Sequence, residues 1–433
     1  MTPGPQGPPP SRPKTPPPAA VKTLACSACG APLTVRAPGH SLSVVCASCG
    51  SVLDAKDPTF RTIERHAQRT RIEPRIPLGS RGKLRGEMFE VIGFLVRQVM
   101  VEGAPYSWGE YLLFNPYQGF RWLTEYQGHW TMTKAASGTP QKDPPMQDSE
   151  VAYLGVQFRH FQTAEAEVTY VVGEFPWRAR VGERAVVEDY IRPPQILSCE
   201  STAEERTWSI GEYFQGEYLW KAFGLPGAPP APQGVGAVQP SPFTGHTRNV
   251  LRLFAAFVGT VLAIQALFAF LSQNRLLYTN PFTYERAKGN TALATQPFEL
   301  TGRRSNVRVE IDTDLANNWA YFNLALVNEE TGQAINFGRE VSYYFGRDGG
   351  ESWTEGRRQD WVYLPSVTSG RYYLLIEPEA SAARMNYTVR VRRDVPRISY
   401  LFWAIAILTL PPLLFWYRMT SFEHKRWLES DHP

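Results

Sequence analysis

EVIGFLVRQVMVEGAPYSWGEYLLFN, residues 90–115, carries the first reading of the fold. Val91, Ile92, Val96, Val99 and Val101 form one β-branched stretch, and Tyr111–Phe114 form another apolar run. Runs of this length, separated by glycine, proline and asparagine, predict short antiparallel strands and not alternating β and α units. Working outward, strands are expected at Val151–Phe158, Glu167–Val172, Ala185–Tyr190 and Gly211–Leu219.

The same stretch has an echo. Val91-Ile92-Gly93 precedes Glu110-Tyr111-Leu112, and Val171-Val172-Gly173 precedes Asp189-Tyr190-Ile191. The two copies lie about eighty residues apart, which predicts two related small antiparallel β-modules, barrel-like or open, within residues 77–223.

Cys26-Ser27-Ala28-Cys29-Gly30 and Cys46-Ala47-Ser48-Cys49-Gly50 give two Cys-x-x-Cys pairs sixteen residues apart. That spacing predicts a zinc ribbon over residues 22–55, each pair forming a knuckle that supplies two thiolates. The glycine after each pair suits the tight turn. Four thiolates, Cys26, Cys29, Cys46 and Cys49, fill a tetrahedral Zn²⁺ shell and leave no position for water, so the site is structural. Disulfides or a redox pair are the competing readings. His40 is expected to be exposed, and Cys199 to be a buried apolar side chain. Lys22 and Arg36 are the only basic residues within the ribbon. That is too few for phosphate binding, and no nucleic acid is expected as a partner.

Two long apolar runs follow. Val250–Leu271 has one charge, Arg252, at its start, and Tyr400–Tyr417 has aromatic residues at both ends. At about 1.5 Å per residue each can cross a hydrocarbon core of about 30 Å. Helices crossing the bilayer are expected at residues 249–272 and 399–418, the second kinked at Pro411-Pro412. Neither carries an ionisable group in its apolar centre, which argues for anchors and against an ion pathway. Two spans place both termini on one side. Metal-binding thiols persist best in a reducing compartment, so that side is expected to be the cytoplasm.

Between the spans, residues 273–398 alternate apolar and polar residues at Phe298–Leu300, Val307–Ile311, Tyr321–Val327, Trp361–Leu364, Tyr372–Ile376 and Tyr387–Val391. Turn residues such as Asp348-Gly349-Gly350 separate them. The pattern predicts an external β-sandwich of jelly-roll type, and its closing strands resemble those of bacterial carbohydrate-binding and pre-peptidase-type sandwiches. Trp319, Trp353 and Trp361 are candidates to stack on a glycan, with core packing as their competing role.

The remaining segments are connectors. Residues 1–21 hold nine prolines and predict a disordered arm. Residues 56–76 predict a basic linker helix, with Arg61, Arg65 and Arg69 on one face. Residues 224–248 are rich in proline and glycine and predict an extended, mobile linker, and residues 419–433 a cytoplasmic tail. The net charge of +4 excludes a chain that coats nucleic acid, and 43% apolar with 20% charged residues excludes an intrinsically disordered one. The seven histidines are scattered singly, and none of the familiar hydrolase, kinase or phosphate-loop motifs occurs.

Leu78-Gly79-Ser80-Arg81-Gly82, Val91-Ile92-Gly93-Phe94, Trp108-Gly109-Glu110-Tyr111-Leu112-Leu113, Phe120-Arg121-Trp122-Leu123 and Gly128-His129-Trp130 resemble the uncharacterised bacterial family labelled domain of unknown function 4178. Gly173-Glu174-Phe175-Pro176-Trp177 through Trp208-Ser209-Ile210-Gly211-Glu212-Tyr213 is similar to a second copy. The resemblance covers residues 76–223. It implies a bacterial membrane protein whose relatives also combine an N-terminal zinc ribbon with C-terminal membrane helices, in the context of envelope stress and polyamine-related gene clusters. It transfers no catalytic residues.

Together these readings predict a mainly β protein: a zinc ribbon, two small β-modules, and two membrane helices flanking an external sandwich. The expected location is the bacterial inner membrane, with residues 273–398 outside. The expected function is a membrane-anchored adaptor or sensor with a cytoplasmic protein partner. Trp108, Tyr111, Trp122 and Trp130 are candidate contacts. The alternatives are an external glycan-binding protein, or an enzyme using Glu110 or Glu188 as acid/base. A homo-oligomer is left open.

Overall fold

A computed structural model describes residues 21–64, 71–141, 150–288 and 292–432. The proline-rich arm lies outside these residues, apart from Val21. The chain divides into two compact units, residues 1–247 with 414–433, and residues 248–413.

The first unit is built on a closed barrel of eight antiparallel strands. One meander is formed by β1 (Glu87–Val101), β2 (Ala104–Asn115), β3 (Gly119–Tyr126) and β4 (His129–Ala135). A second is formed by β5 (Val156–Phe175), β6 (Arg184–Arg192), β7 (Gln195–Ser201) and β8 (Arg206–Phe214). The first strands of the two meanders pair, β1 with β5, and so do the last, β4 with β8. A lone four-stranded meander exposes two unpaired edges. Joining first to first and last to last removes all four. The repeat in the sequence is thus real, but its copies are not separate modules: each is an open sheet, and together they make one barrel.

Register makes the duplication explicit. Gly93 pairs with Gly173 at one seam and Met132 with Glu212 at the other. Both pairs are 80 residues apart, so each joins a residue to its own repeat equivalent, as a two-fold axis through both seams requires. The seam at Gly93 is tight. A Cβ at Gly173 would lie 2.3 Å from the Ile92 carbonyl oxygen and 2.9 Å from the Gly93 Cα, and the φ of Gly173 is +95°. Only glycine fits there.

The strand expected over Gly211–Leu219 ends at Phe214, and helix α1 (Gly216–Phe223) follows. Its Leu219, Trp220 and Phe223 recur at helical spacing and bury against Trp130, Tyr111 and Leu113. The helix ends at Gly224 in the left-handed conformation. The linker helix expected at 56–76 is not formed in the described part of that span. Thr62–Glu64 is a strand paired with Val52–Asp54, and residues 71–76 are irregular; residues 65–70 lie outside the described residues. Phe60, with a φ of +51°, buries with Cys26 and Leu53 in the ribbon core, a conformation and a contact that a helix through this position would not allow.

The linker after α1 is docked on the barrel. Gln233 N–H donates to the Gln127 carbonyl at 2.9 Å. His129 hydrogen-bonds the Gln233 carbonyl through Nε2 at 3.0 Å, and Val238 buries with Phe161 and Ile191.

In the second unit, two antiparallel sheets enclose one core. Arg275–Glu285, Arg384–Arg393, Ser305–Thr313 and Gln359–Val367 form one sheet. The other comprises Gly370–Ala380, Asn318–Asn328, Ala334–Asp348 and Glu351–Arg357, with short strands at Leu293–Ala294 and Phe298–Leu300. Phe322, Leu324, Leu326, Val309, Ile311 and Val389 fill the space between them. Every strand expected from alternation falls inside an observed one.

Helices α2 (Thr247–Leu271) and α3 (Ser399–Trp427) are long and apolar enough to cross a membrane. Helix α3 passes through Pro411 and Pro412 and continues to Trp427, so the tail expected from residue 419 begins as helix.

Candidate metal centre

The cysteine knuckles are two copies of one turn. Gly30 N–H donates to the Cys26 carbonyl and Gly50 N–H to the Cys46 carbonyl, each at 2.8 Å, and both glycines have positive φ, +75° and +69°. The four thiols converge, with their sulfurs all within 4.8 Å of one another. Cys26 and Cys49 are 3.9 Å apart and Cys29 and Cys46 are 3.8 Å apart, and none is in a disulfide. Tetrahedral thiolate coordination with bonds of about 2.3 Å puts sulfurs about 3.8 Å apart, so the donor set fits a single metal ion. In the metal-free form burial pushes the Cys46 thiol up to about 12. Burial also raises Cys49, but hydrogen bonds from Ser51 and the neighbouring thiols outweigh it and draw it down to about 7. His40 is exposed and lies against the Phe114 ring, away from the sulfurs.

The ribbon is fused to the barrel. Ser43–Val45 pairs with β5, extending the barrel sheet, and Val45 faces Gly173. The Glu174 side chain, 1% exposed, accepts hydrogen bonds from the N–H groups of Arg36 and Ala37 at 2.5 and 2.9 Å and from the Ser41 hydroxyl at 3.0 Å. Burial raises its carboxyl above the ordinary range, and these donors offset part of that rise. Arg36 in turn faces Glu90 on β1 at 3.2 Å.

A second polar cluster lies in the barrel. Arg97 on β1 reaches Glu110 on β2 at 3.4 Å and Glu200 on β7 at 2.9 Å. Strand β7 is three strands away round the wall through β5 and β6, so the guanidinium crosses the inside of the barrel. Glu110 also accepts from Trp108 Nε1 at 2.7 Å. Its repeat counterpart by motif, Asp189, accepts from Ser198 at 2.6 Å and Gln162 at 3.0 Å. Burial raises both carboxyls, outweighing Arg97 and Trp108 at Glu110 and the hydrogen bonds at Asp189. Glu188 is apart, bound to Arg206 at 2.7 Å. Glu110 and Glu188 are therefore both engaged by arginines. Cys199 is buried, as expected, and its sulfur accepts from Arg206 Nε at 2.9 Å.

Of the four candidate contact aromatics, Tyr111 and Trp130 are core, 1% and 0% exposed. Trp122 packs on Trp177, and Trp108 serves Glu110. The sandwich tryptophans do not gather. Trp319 and Trp353 lie on one sheet and Trp361 on the other, where Arg308 stacks on it.

The residues sequence reasoning missed are in the C-terminal segment. Arg426 is 1% exposed, and its guanidinium donates to the Gly236 and Ala237 carbonyls at 3.1 and 2.8 Å and to Glu423 at 3.0 Å. Trp427 packs on Phe161 and under Arg159, and Asp431 bridges to Phe161 and Thr163. Phe243, just before α2, touches Phe415 and Phe422 of α3. The barrel thus holds the linker that leads into α2 and the end of α3 together. In the sequence Arg426 resembles any basic residue flanking an apolar helix, so it gave no signal.

No curated protein matches this chain. Among solved structures, one titled "Structure of infectious bursal disease virus Gt strain" is 11% identical, covering 84% of this chain and 67% of that one at a TM-score of 0.17. "Trypanosoma rangeli sialidase in complex with sialic acid" is 7% identical, covering 91% and 96% at a TM-score of 0.10. Likeness at these scores carries no argument. Residues 77–216, the stretch that forms the barrel, match the model of the family described as Domain of unknown function (DUF4178).

Proposed function

We propose that this chain is a membrane-anchored adaptor or sensor of a bacterial inner membrane. Helices α2 and α3 cross the bilayer as a hairpin, the sandwich lies outside, and the barrel, ribbon and both termini lie in the cytoplasm. The ion held by Cys26, Cys29, Cys46 and Cys49 is Zn²⁺. It is structural, because four thiolates complete its shell, and thiols of this kind suit a reducing compartment. The barrel unit binds a protein partner.

The observation that supports this reading best is the hold of the barrel on the linker that leads into α2 and on the end of α3. Arg426 is buried on linker carbonyls, and Phe243 is wedged against α3. A barrel hung on one flexible tether would not feel a change in the hairpin. One clamped at both ends does, and so links the sandwich to whatever the barrel binds. Affinity capture of the full chain from solubilised membranes, read by mass spectrometry, tests the proposal. The expected result is one protein recovered in stoichiometric amount, and recovery of none contradicts it.

A further inference from the structure

At the barrel seam where Met132 pairs with Glu212 lies a cavity of about 490 Å³, a size typical of sites for small organic ligands. Phe89, Met132, Tyr153, Phe158 and Ile210 give it apolar walls. Its charges are unequal in their pairing. Arg85 is satisfied by Glu212 at 2.5 Å and stacks on Phe214. Arg121 is half-buried over the Phe89 ring, and among the described residues its hydrogen bonds go only to the Gln118 and Phe120 carbonyls. Among the described residues no carboxylate pairs with it, and burial alone lowers its pKa. A guanidinium partly removed from water without a counter-ion is held at a cost that an incoming anion would relieve. Lys134 stands at the rim, also without an ion pair among the described residues, and the unpaired carboxylate on the lining, Glu87, is exposed.

Leu154 is a second, independent observation. It lies on the rim, 77% exposed, with a φ of +50°, and Gly155 follows at +76°. A two-residue turn with both φ positive favours Asn, Asp or Gly. Leucine there is strained and buries almost nothing of its own chain, so the fold does not account for it. It does extend the apolar wall outward from the cavity.

We propose that this cavity binds an amphipathic anion: the carboxylate or phosphate head of a single-chain lipid against Arg121 and Lys134, with its hydrocarbon tail along Phe89, Met132, Phe158 and Leu154. The site is independent of the adaptor reading, since it needs neither a protein partner nor the sandwich.

The test uses the full chain in amphipol, titrated with the fluorescent fatty acid cis-parinarate. Saturable binding at one per chain is expected, displaced by oleate or oleoyl lysophosphatidate and not by methyl oleate or acetate. Whichever of the first two displaces more strongly identifies the head group. Arg121→Gln should weaken binding roughly tenfold, the scale of one charge-assisted contact. Leu154→Asn, which suits the turn and so keeps the fold, should weaken it by several fold. The proposal is overturned by an absence of saturable binding, by unchanged affinity in both variants, or by competition from acetate equal to that from oleate.

Discussion

Gly93 and Gly173 face each other across the first barrel seam, 80 residues apart and equivalent in the two repeats. Neither can carry a side chain without pushing into the backbone of the other strand. The barrel therefore closes on two glycines where the duplicated meanders meet, and the ribbon leans on the same place through Val45 and Glu174.

Substituting this seam should cost more than an ordinary positive-φ glycine. Gly173→Ala combines backbone strain with a 2.3 Å clash and is expected to lose about 3 kcal/mol or more. Gly182→Ala, at φ +85° with nothing within 4 Å, should lose about 1 kcal/mol. Thermal melting of the two variants checks the ordering, and equal losses would refute the seam's role.

Metal retention and ribbon attachment should separate. Cys29→Ser removes one of four ligands and should abolish metal binding while the barrel stays folded. Glu174→Ala should keep the metal but lower stability by about 2–4 kcal/mol, since three donors lose their acceptor. Elemental analysis beside melting curves decides. A metal-free Glu174→Ala protein would show the two to be one unit.

Glu110 gives a signed pH dependence. Burial raises its folded pKa, so its contribution to stability is fully present below its unfolded value of about 4.3 and is lost as pH rises through the folded value. Glu110→Gln removes that loss. The melting temperature of the variant minus that of the wild type should therefore become more positive from about pH 5 to about pH 8. A difference that stays flat or falls would contradict the reading.

The proposed membrane topology predicts that a reporter active only outside the cytoplasm works when inserted at Gly349, in the turn of a hairpin of the sandwich. It should fail at either terminus. Activity at the C-terminus would reverse the orientation.

Much of this was legible locally. The cysteine spacing, the strand alternation of the sandwich and the two apolar helices depend on residues close in sequence, the repeat on a match between two short motifs, and the structure has each of them. What was hidden depends on distant pairs. Nothing near Glu174 announces that it binds Ala37, 137 residues earlier. Gly93 and Gly173 could be matched as repeat equivalents, but not as partners. The linker's composition predicts only an extended, mobile connection. Its docking rests on His129, which is indistinguishable in sequence from the other scattered histidines. The same holds for the residues after Tyr417, where charged side chains suggested a solvated tail and Arg426 instead buries.

The central claim is that the barrel holds both the linker that leads into α2 and the end of α3. Hydrogen exchange on the full chain in lipid nanodiscs tests it most directly, through the amides of Thr163 and Asp431, which are hydrogen-bonded across the barrel–tail contact. The account predicts slow exchange at both in the wild type. It predicts fast exchange at both in Arg426→Ala, which strips the Gly236 and Ala237 carbonyls of their donor, with the rest of the barrel unchanged. Fast exchange at Asp431 in the wild type, or slow exchange that survives the substitution, would contradict it.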